Sequence, residues 1–394
     1  MTMRQTTDGI RGLLFLALVL GGVTGCADEQ DWEAVNEAAK AAHQDGRLEE
    51  AGRGFVTALE IAEKLGDDDE RLVKSLNNLG QFRRMQGRQE EAVALFQRAV
   101  DARERNLGAD HPDMGDSYFN LANHYESIQD RDRARQLYER ALAIREKAFG
   151  PEHAKLADVL NRLGLLAYFQ GDLEQAQTWL ERAQDVTERS TLAGHPKLAL
   201  GLTNLAQVHR AQNDFDRAAE LYREATEILV RNDGPSTIRV ARSQNNLAEV
   251  LRLGGKSERS EQLYKSSLEI FESQTPPANS EIATTLNNLA VLYRSQERFS
   301  EAEAAYRRAV DLLGDTGELR PELAACLFNL GRLYAEQSRN DEAESVLRRS
   351  LGIYERTLGP DAPEVSVVRE GYAQLLRQMG RAEEADRLLV SAGS

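Results

Sequence analysis

Leu76-Asn77-Asn78-Leu79-Gly80-Gln81-Phe82-Arg83-Arg84-Met85-Gln86-Gly87 is the stretch that decides the fold. Its centre returns as Phe119-Asn120-Leu121-Ala122, Asn161-Arg162-Leu163-Gly164, Thr203-Asn204-Leu205-Ala206, Asn245-Asn246-Leu247-Ala248, Asn287-Asn288-Leu289-Ala290 and Phe328-Asn329-Leu330-Gly331. The step is 42 residues, falling to 41 between Leu289 and Leu330. A fixed period of this size predicts a solenoid, in which each unit buries its face on the next. Around Gly87, apolar residues recur three and four apart, the pattern of two helices joined by a tight turn. The turn position repeats as Gly46, Gly87, Gln129, Gly171, Asn213, Gly255, Glu297, Ser338 and Gly380, where a helix is expected to end on a left-handed residue.

Three columns hold only small residues. One follows the Leu: Ala39, Gly80, Ala122, Gly164, Ala206, Ala248, Ala290, Gly331 and Ala373. The others run through Ala51, Ala92 and Ala134 and through Ala58, Ala99 and Ala141 and their equivalents. Small side chains let helix axes cross closely, and a large neighbour fills the space beside them: Phe55, Phe96, Tyr138, Leu180, Tyr222, Tyr264, Tyr306, Leu347 and Leu389. These columns resemble the tetratricopeptide repeat. The 42-residue step, the Asn-Asn-Leu and linkers such as Gly108-Ala109-Asp110-His111-Pro112 resemble its kinesin light chain subtype. The resemblance covers residues 32–394 as nine units, with Ala38 and Tyr372 in the Leu slot of the degenerate first and last. It implies an all-α fold, an α-solenoid of stacked helix-turn-helix units forming a right-handed superhelix, that binds peptides or protein segments in a concave groove.

Composition agrees with a binding array. The net charge of −15 and pI near 5.1 argue against nucleic acid, since phosphate binding needs a basic surface. Residues 1–25 read as an address rather than fold. Arg4 and Arg11 precede an apolar stretch from Leu13 to Val23, about half the roughly 20 residues a spanning helix needs. It ends Val23-Thr24-Gly25-Cys26, which resembles the lipobox of bacterial lipoproteins. That resemblance implies cleavage before Cys26, lipidation of its thiol, and anchoring to an envelope membrane; Ala27 leans the expectation towards the outer membrane. Residues 26–31 would be a tether. Five extended residues reach about 17 Å, so the first unit would sit close to the headgroups.

Helical geometry divides the first helix of each unit into two faces. The Leu, the small residue after it and the Cys326 position fall on the core side. The opposite face collects Asn78, Asn120, Asn204, Asn246, Asn288 and Asn329. An Asn row offers donors and acceptors that clamp a peptide backbone, or that bond the neighbouring unit. The same face carries Arg210, Arg252 and Arg294, with Arg242 beside them. On so acidic a chain this stripe suits an acidic protein segment, or else it pairs with nearby acids such as Glu249.

No catalytic, metal or cofactor site is expected. His111, His153 and His195 recur in the linkers, and no His or Cys pair has ligand spacing. Gly254-Gly255-Lys256-Ser257 copies the tail of a P-loop, but Val250 stands at the leading Gly position and Gly255 is the periodic turn. Cys326 reads as a small packed residue.

Overall fold

The computed structural model describes residues 29–67, 69–190, 195–314 and 320–390. Cys26 and the expected signal segment lie outside them. The described residues form helices and turns, with no strand among them. They divide into two compact units, residues 1–150 and 151–394.

The first unit holds three helical hairpins: α1 (Glu29–Gln44) with α2 (Leu48–Leu65), α3 (Glu70–Met85) with α4 (Gln89–Leu107), and α5 (Met114–Ser127) with α6 (Arg131–Phe149). The second holds six: α7 (Ala157–Phe169) with α8 (Leu173–Arg189), α9 (Pro196–Ala211) with α10 (Phe215–Asp233), and α11 (Ile238–Leu253) with α12 (Ser257–Ser273). Then come α13 (Asn279–Ser295) with α14 (Phe299–Gly314), α15 (Pro321–Glu336) with α16 (Asn340–Leu358), and α17 (Pro363–Gln378) with α18 (Ala382–Val390). Each hairpin is one repeat. Helix α1 already includes residues 29–31, which the sequence pattern assigned to the tether.

All nine turn positions have positive φ, including the non-glycine Gln129, Asn213, Glu297 and Ser338 at 57–65°. The backbone of the hairpin therefore sets this conformation, and glycine only eases it. The small columns act as expected. A Cβ on Gly80 would stand 2.7 Å from the Phe96 ring, and one on Gly331 would stand 2.7 Å from Leu347. In both, the glycine lets the large residue of the second helix press onto the first. Burial repeats with the same period: Tyr138, Tyr264 and Tyr306 are all fully buried.

The loops between repeats are tied as regularly. His111, His153 and His195 each accept a backbone N–H two residues on through Nδ1, at 3.2, 3.2 and 3.1 Å. His153 and His195 thereby cap the helical turns that follow them, and His111 ties the linker in the same way just before α5, whose cap position is Asp113.

Two kinds of inter-repeat seam stand out. In the first unit, the Phe96 ring of α4 stacks on His124 of α5, with centroids 3.4 Å apart and planes 11° off parallel. Towards the end of the second unit a polar clasp appears three times. Glu303 of α14 accepts from Arg339 at 2.6 and 3.1 Å, accepts from the Tyr334 hydroxyl at 3.2 Å, and pairs with Arg307 at 2.8 Å. Glu261 does the same with Arg298, Tyr293 and Lys265, and Glu344 with Arg381, Tyr372 and Arg348. The arginine also lies over the tyrosine ring, at 4.1 Å for Arg298 and 4.2 Å for Arg339. In three other repeats the clasp arginine's position is Asp130, Asp172 or Asp214, each of which caps the second helix through its side chain.

Candidate protein-binding surface

Within the second unit, first helices approach their successors: α7 contacts α9, α11 contacts α13, α13 contacts α15, and α15 contacts α17. No pair of second helices comes as close. The first helices therefore line the inner edge, and the Asn and Arg columns lie along it.

The Asn column is partly used by the fold. In the first unit, Asn78 Nδ2 donates to Asn36 Oδ1 at 2.8 Å. In the second, Asn329 donates to Asn287 at 2.9 Å, and buried Asn204 lies 3.5 Å from Asn161 Oδ1. In each rung the Asn before the Leu reaches the preceding repeat, two positions before its Leu. Among the described residues no rung forms at Asn120, Asn246 or Asn288. Asn245 Oδ1, which Asn288 would reach by the same rule, is buried without a hydrogen-bond partner. After Phe328 the rung is replaced altogether: Gly371 fills the Asn position, and a Cβ there would stand 2.8 Å from the Phe328 ring.

The arginines are mostly engaged. Arg242 pairs with Glu281 of the next repeat. Arg252 holds Glu249 of its own helix through two bonds, at 2.9 and 2.8 Å. Burial pushes the Glu249 carboxyl up, but hydrogen bonds from Arg252 and Tyr264 outweigh it and hold the group below the usual carboxylate range. Arg294 lies 3.5 Å from Glu336. Arg210 has no ion pair or hydrogen bond among the described residues, and its charge acts on Tyr222 and Glu249.

Large apolar side chains are exposed on these same helices: Leu200 (60%), Phe169 (57%), Val367 (53%) and Leu253 (38%). Val367, Phe328, Arg332 and Gln374 line an open groove between α15 and α17. Exposed Leu107, Phe149 and Leu358 stand at the ends of second helices, so apolar exposure is shared by both sets of helices.

The other sequence signals resolve into packing. Burial pushes the Cys326 thiol to about 12, too high for a nucleophile at neutral pH. Gly255 takes the turn at φ 75°, and Lys256 pairs with Asp216 at 2.5 Å. No cluster of metal-ligating side chains occurs among the described residues. The Glu261, Glu303 and Glu344 clasps went unread in the sequence, although their spacing of 42 and 41 residues carried the signal.

Comparison with known proteins supports this architecture. The tetratricopeptide repeat model matches in eight overlapping windows running from residue 33 to residue 392. No curated protein sequence matches the chain. Among solved structures, the apo form of RapI shares 13% identity with a TM-score of 0.64, over 92% of this chain and 97% of that one. BtubC (BKLC) of P. vanneervenii shares 25% identity with a TM-score of 0.48, over 59% and 91%. Repeats assigned to a kinesin light chain of Podosopora anserina share 22% identity with a TM-score of 0.46, over 54% and 99%. With the family model spanning nearly the whole array and every repeat folded as a helical hairpin, the chain belongs to the tetratricopeptide repeat family.

Proposed function

We propose that this protein is a lipid-anchored adaptor that holds segments of protein partners on its first-helix face, close to a bacterial envelope membrane. The observation that carries the reading is the make-up of that face in the second unit. Its first helices carry exposed Phe169, Leu200, Leu253 and Val367, and also Arg210, Asn246 and Asn288, whose side chains form no rung or ion pair among the described residues. Apolar contacts supply affinity, and the amides bond a peptide backbone whatever its sequence. The anchor rests on Val23-Thr24-Gly25-Cys26 after the short apolar stretch, and Ala27 favours the outer membrane. Two or three acyl chains hold stably where one would not.

Photo-crosslinkers test the face. Placed at Leu200 or Leu253 they should trap protein in cells, whereas one at Glu224, exposed on α10, should not. Equal trapping at Glu224 would remove the face from consideration. Metabolic labelling with a palmitate analogue, compared with Cys26→Ala, tests the anchor; label retained in the variant refutes it.

A further inference from the structure

The sixth and seventh repeats differ at one informative position. In the sixth, a carboxylate sits between two donors: Glu249 accepts from the Tyr264 hydroxyl at 2.8 Å and from Arg252 at 2.9 and 2.8 Å. The seventh repeat keeps both donors as Tyr306 and Arg294, 42 residues on, but has Val291 where the glutamate would be. The Tyr306 hydroxyl and Arg294 Nη1 are left without a hydrogen-bond acceptor among the described residues. Both atoms are buried, the hydroxyl on a side chain that is 0% exposed. Leaving such groups unbonded away from water is unfavourable, so an added acceptor is bound.

We propose that Arg294 and Tyr306 bind a carboxylate side chain of a partner segment, in the place that Glu249 fills for Arg252 and Tyr264 one repeat earlier. The inference rests on the adaptor reading and names the chemistry of one of its subsites. The chemistry fits. The guanidinium and the hydroxyl both donate, and burial pushes the Tyr306 hydroxyl to about 12, so it keeps its proton. The charges of Arg294 and Arg332 both act on that hydroxyl. Glu336 of the eighth repeat also bears on it and lies 3.5 Å from Arg294 Nη1, too poorly placed for a hydrogen bond. Its side chain is 45% exposed, against 15% for Arg294. Glu336 is thus a weakly held internal carboxylate that the ligand's own displaces.

The test measures binding of fluorescein-labelled hexaglutamate and hexaglutamine to the full-length protein in detergent, by fluorescence anisotropy. Hexaglutamate should bind and hexaglutamine should not. Tyr306→Phe and Arg294→Gln should each weaken binding about tenfold or more. Val291→Glu supplies the internal carboxylate of the sixth repeat and should abolish binding, and Glu336→Gln should strengthen it several-fold. Absence of hexaglutamate binding by the wild type, or equal binding by Tyr306→Phe, overturns the proposal. If Val291→Glu fails to fold, Tyr306→Phe still decides, since it deletes a hydroxyl that makes no hydrogen bond among the described residues. Loss of trapping at Leu253 in cells would count against the adaptor reading without altering this binding result, so the two fail separately.

Discussion

The seam between α4 and α5 and the three clasped seams from α12 to α18 join the same kind of hairpin by different chemistry. In the first, an aromatic ring stacks on a buried imidazole. In the others, a glutamate gathers an arginine, a tyrosine hydroxyl and a second cation. The columns that set helix crossing are common to both, so the architecture is shared. The columns that vary decide how each seam responds to solvent. An imidazole seam answers to mild acid, and an ionic clasp answers to salt and to stronger acid.

The largest expected effect separates the two by pH. Burial, helped by the charge of Arg84, holds His124 down at about 4 in the folded chain, against 6.5 when unfolded. Its neutral form is the folded form, so the unfolded state takes up the extra proton on acidification. The stability tied to it is fully present above pH 6.5 and is lost as pH falls from 6.5 towards 4. Hydrogen exchange should show α3–α6 loosening at pH 5 while α13–α18 stay protected. Glu261 explains the second half: hydrogen bonds from Arg298 outweigh burial and hold its carboxyl at about 2, so its contribution is lost only between pH 4.5 and 2. His124→Phe keeps the ring and removes the titration, and should abolish the difference at pH 5. If exchange in α3–α6 is unchanged between pH 7 and 5, the imidazole has been misread.

Glu303→Ala should come next. It strips the acceptor from Arg339 and Tyr334 in one partly buried cluster, and should cost about 2 kcal/mol by denaturant unfolding. The loss should shrink in high salt, which screens the wild-type clasp but leaves the Phe96–His124 stack untouched. An equal penalty at low and high salt would mean that packing, not charge, holds the seam. The smallest effect belongs to the repeats that have an aspartate where the clasp has arginine. Asp172→Ala removes the cap on Gln175 N–H, made at 3.0 Å, and should cost about 1 kcal/mol, read as faster exchange in the first turn of α8.

The fold was legible because its determinants repeat. Leu79, Gly80, Gly87 and Phe96 recur at one step, and the step encodes hairpin, turn and crossing together. The turn was legible even at Glu297 and Ser338, where residue type argues against a left-handed backbone and only register argues for it. The face was legible in part. Helical geometry put Asn78 and Arg252 on the right side, but whether each is spent inside the protein depends on partners up to 42 residues away, such as Asn36. Glu249 and Val291 occupy one column and differ in a single residue. That substitution looks neutral until the tyrosine hydroxyl beneath it is seen to lack an acceptor.

The rungs between first helices have a mechanical consequence. In the second unit a rung ties the first helices at Asn287–Asn329, and the Glu303–Arg339 clasp ties the same two repeats on their second-helix side. That seam is stapled at both edges and resists bending either way. One repeat earlier the clasp Glu261–Arg298 and the pair Glu272–Arg308 hold the second-helix side, but no rung forms at Asn288 among the described residues. A bend at that seam therefore hinges on the clasp and opens or closes the first-helix edge beside Asn288, so a segment lying there meets a gap that can adjust, next to a spacing at Asn329 that cannot.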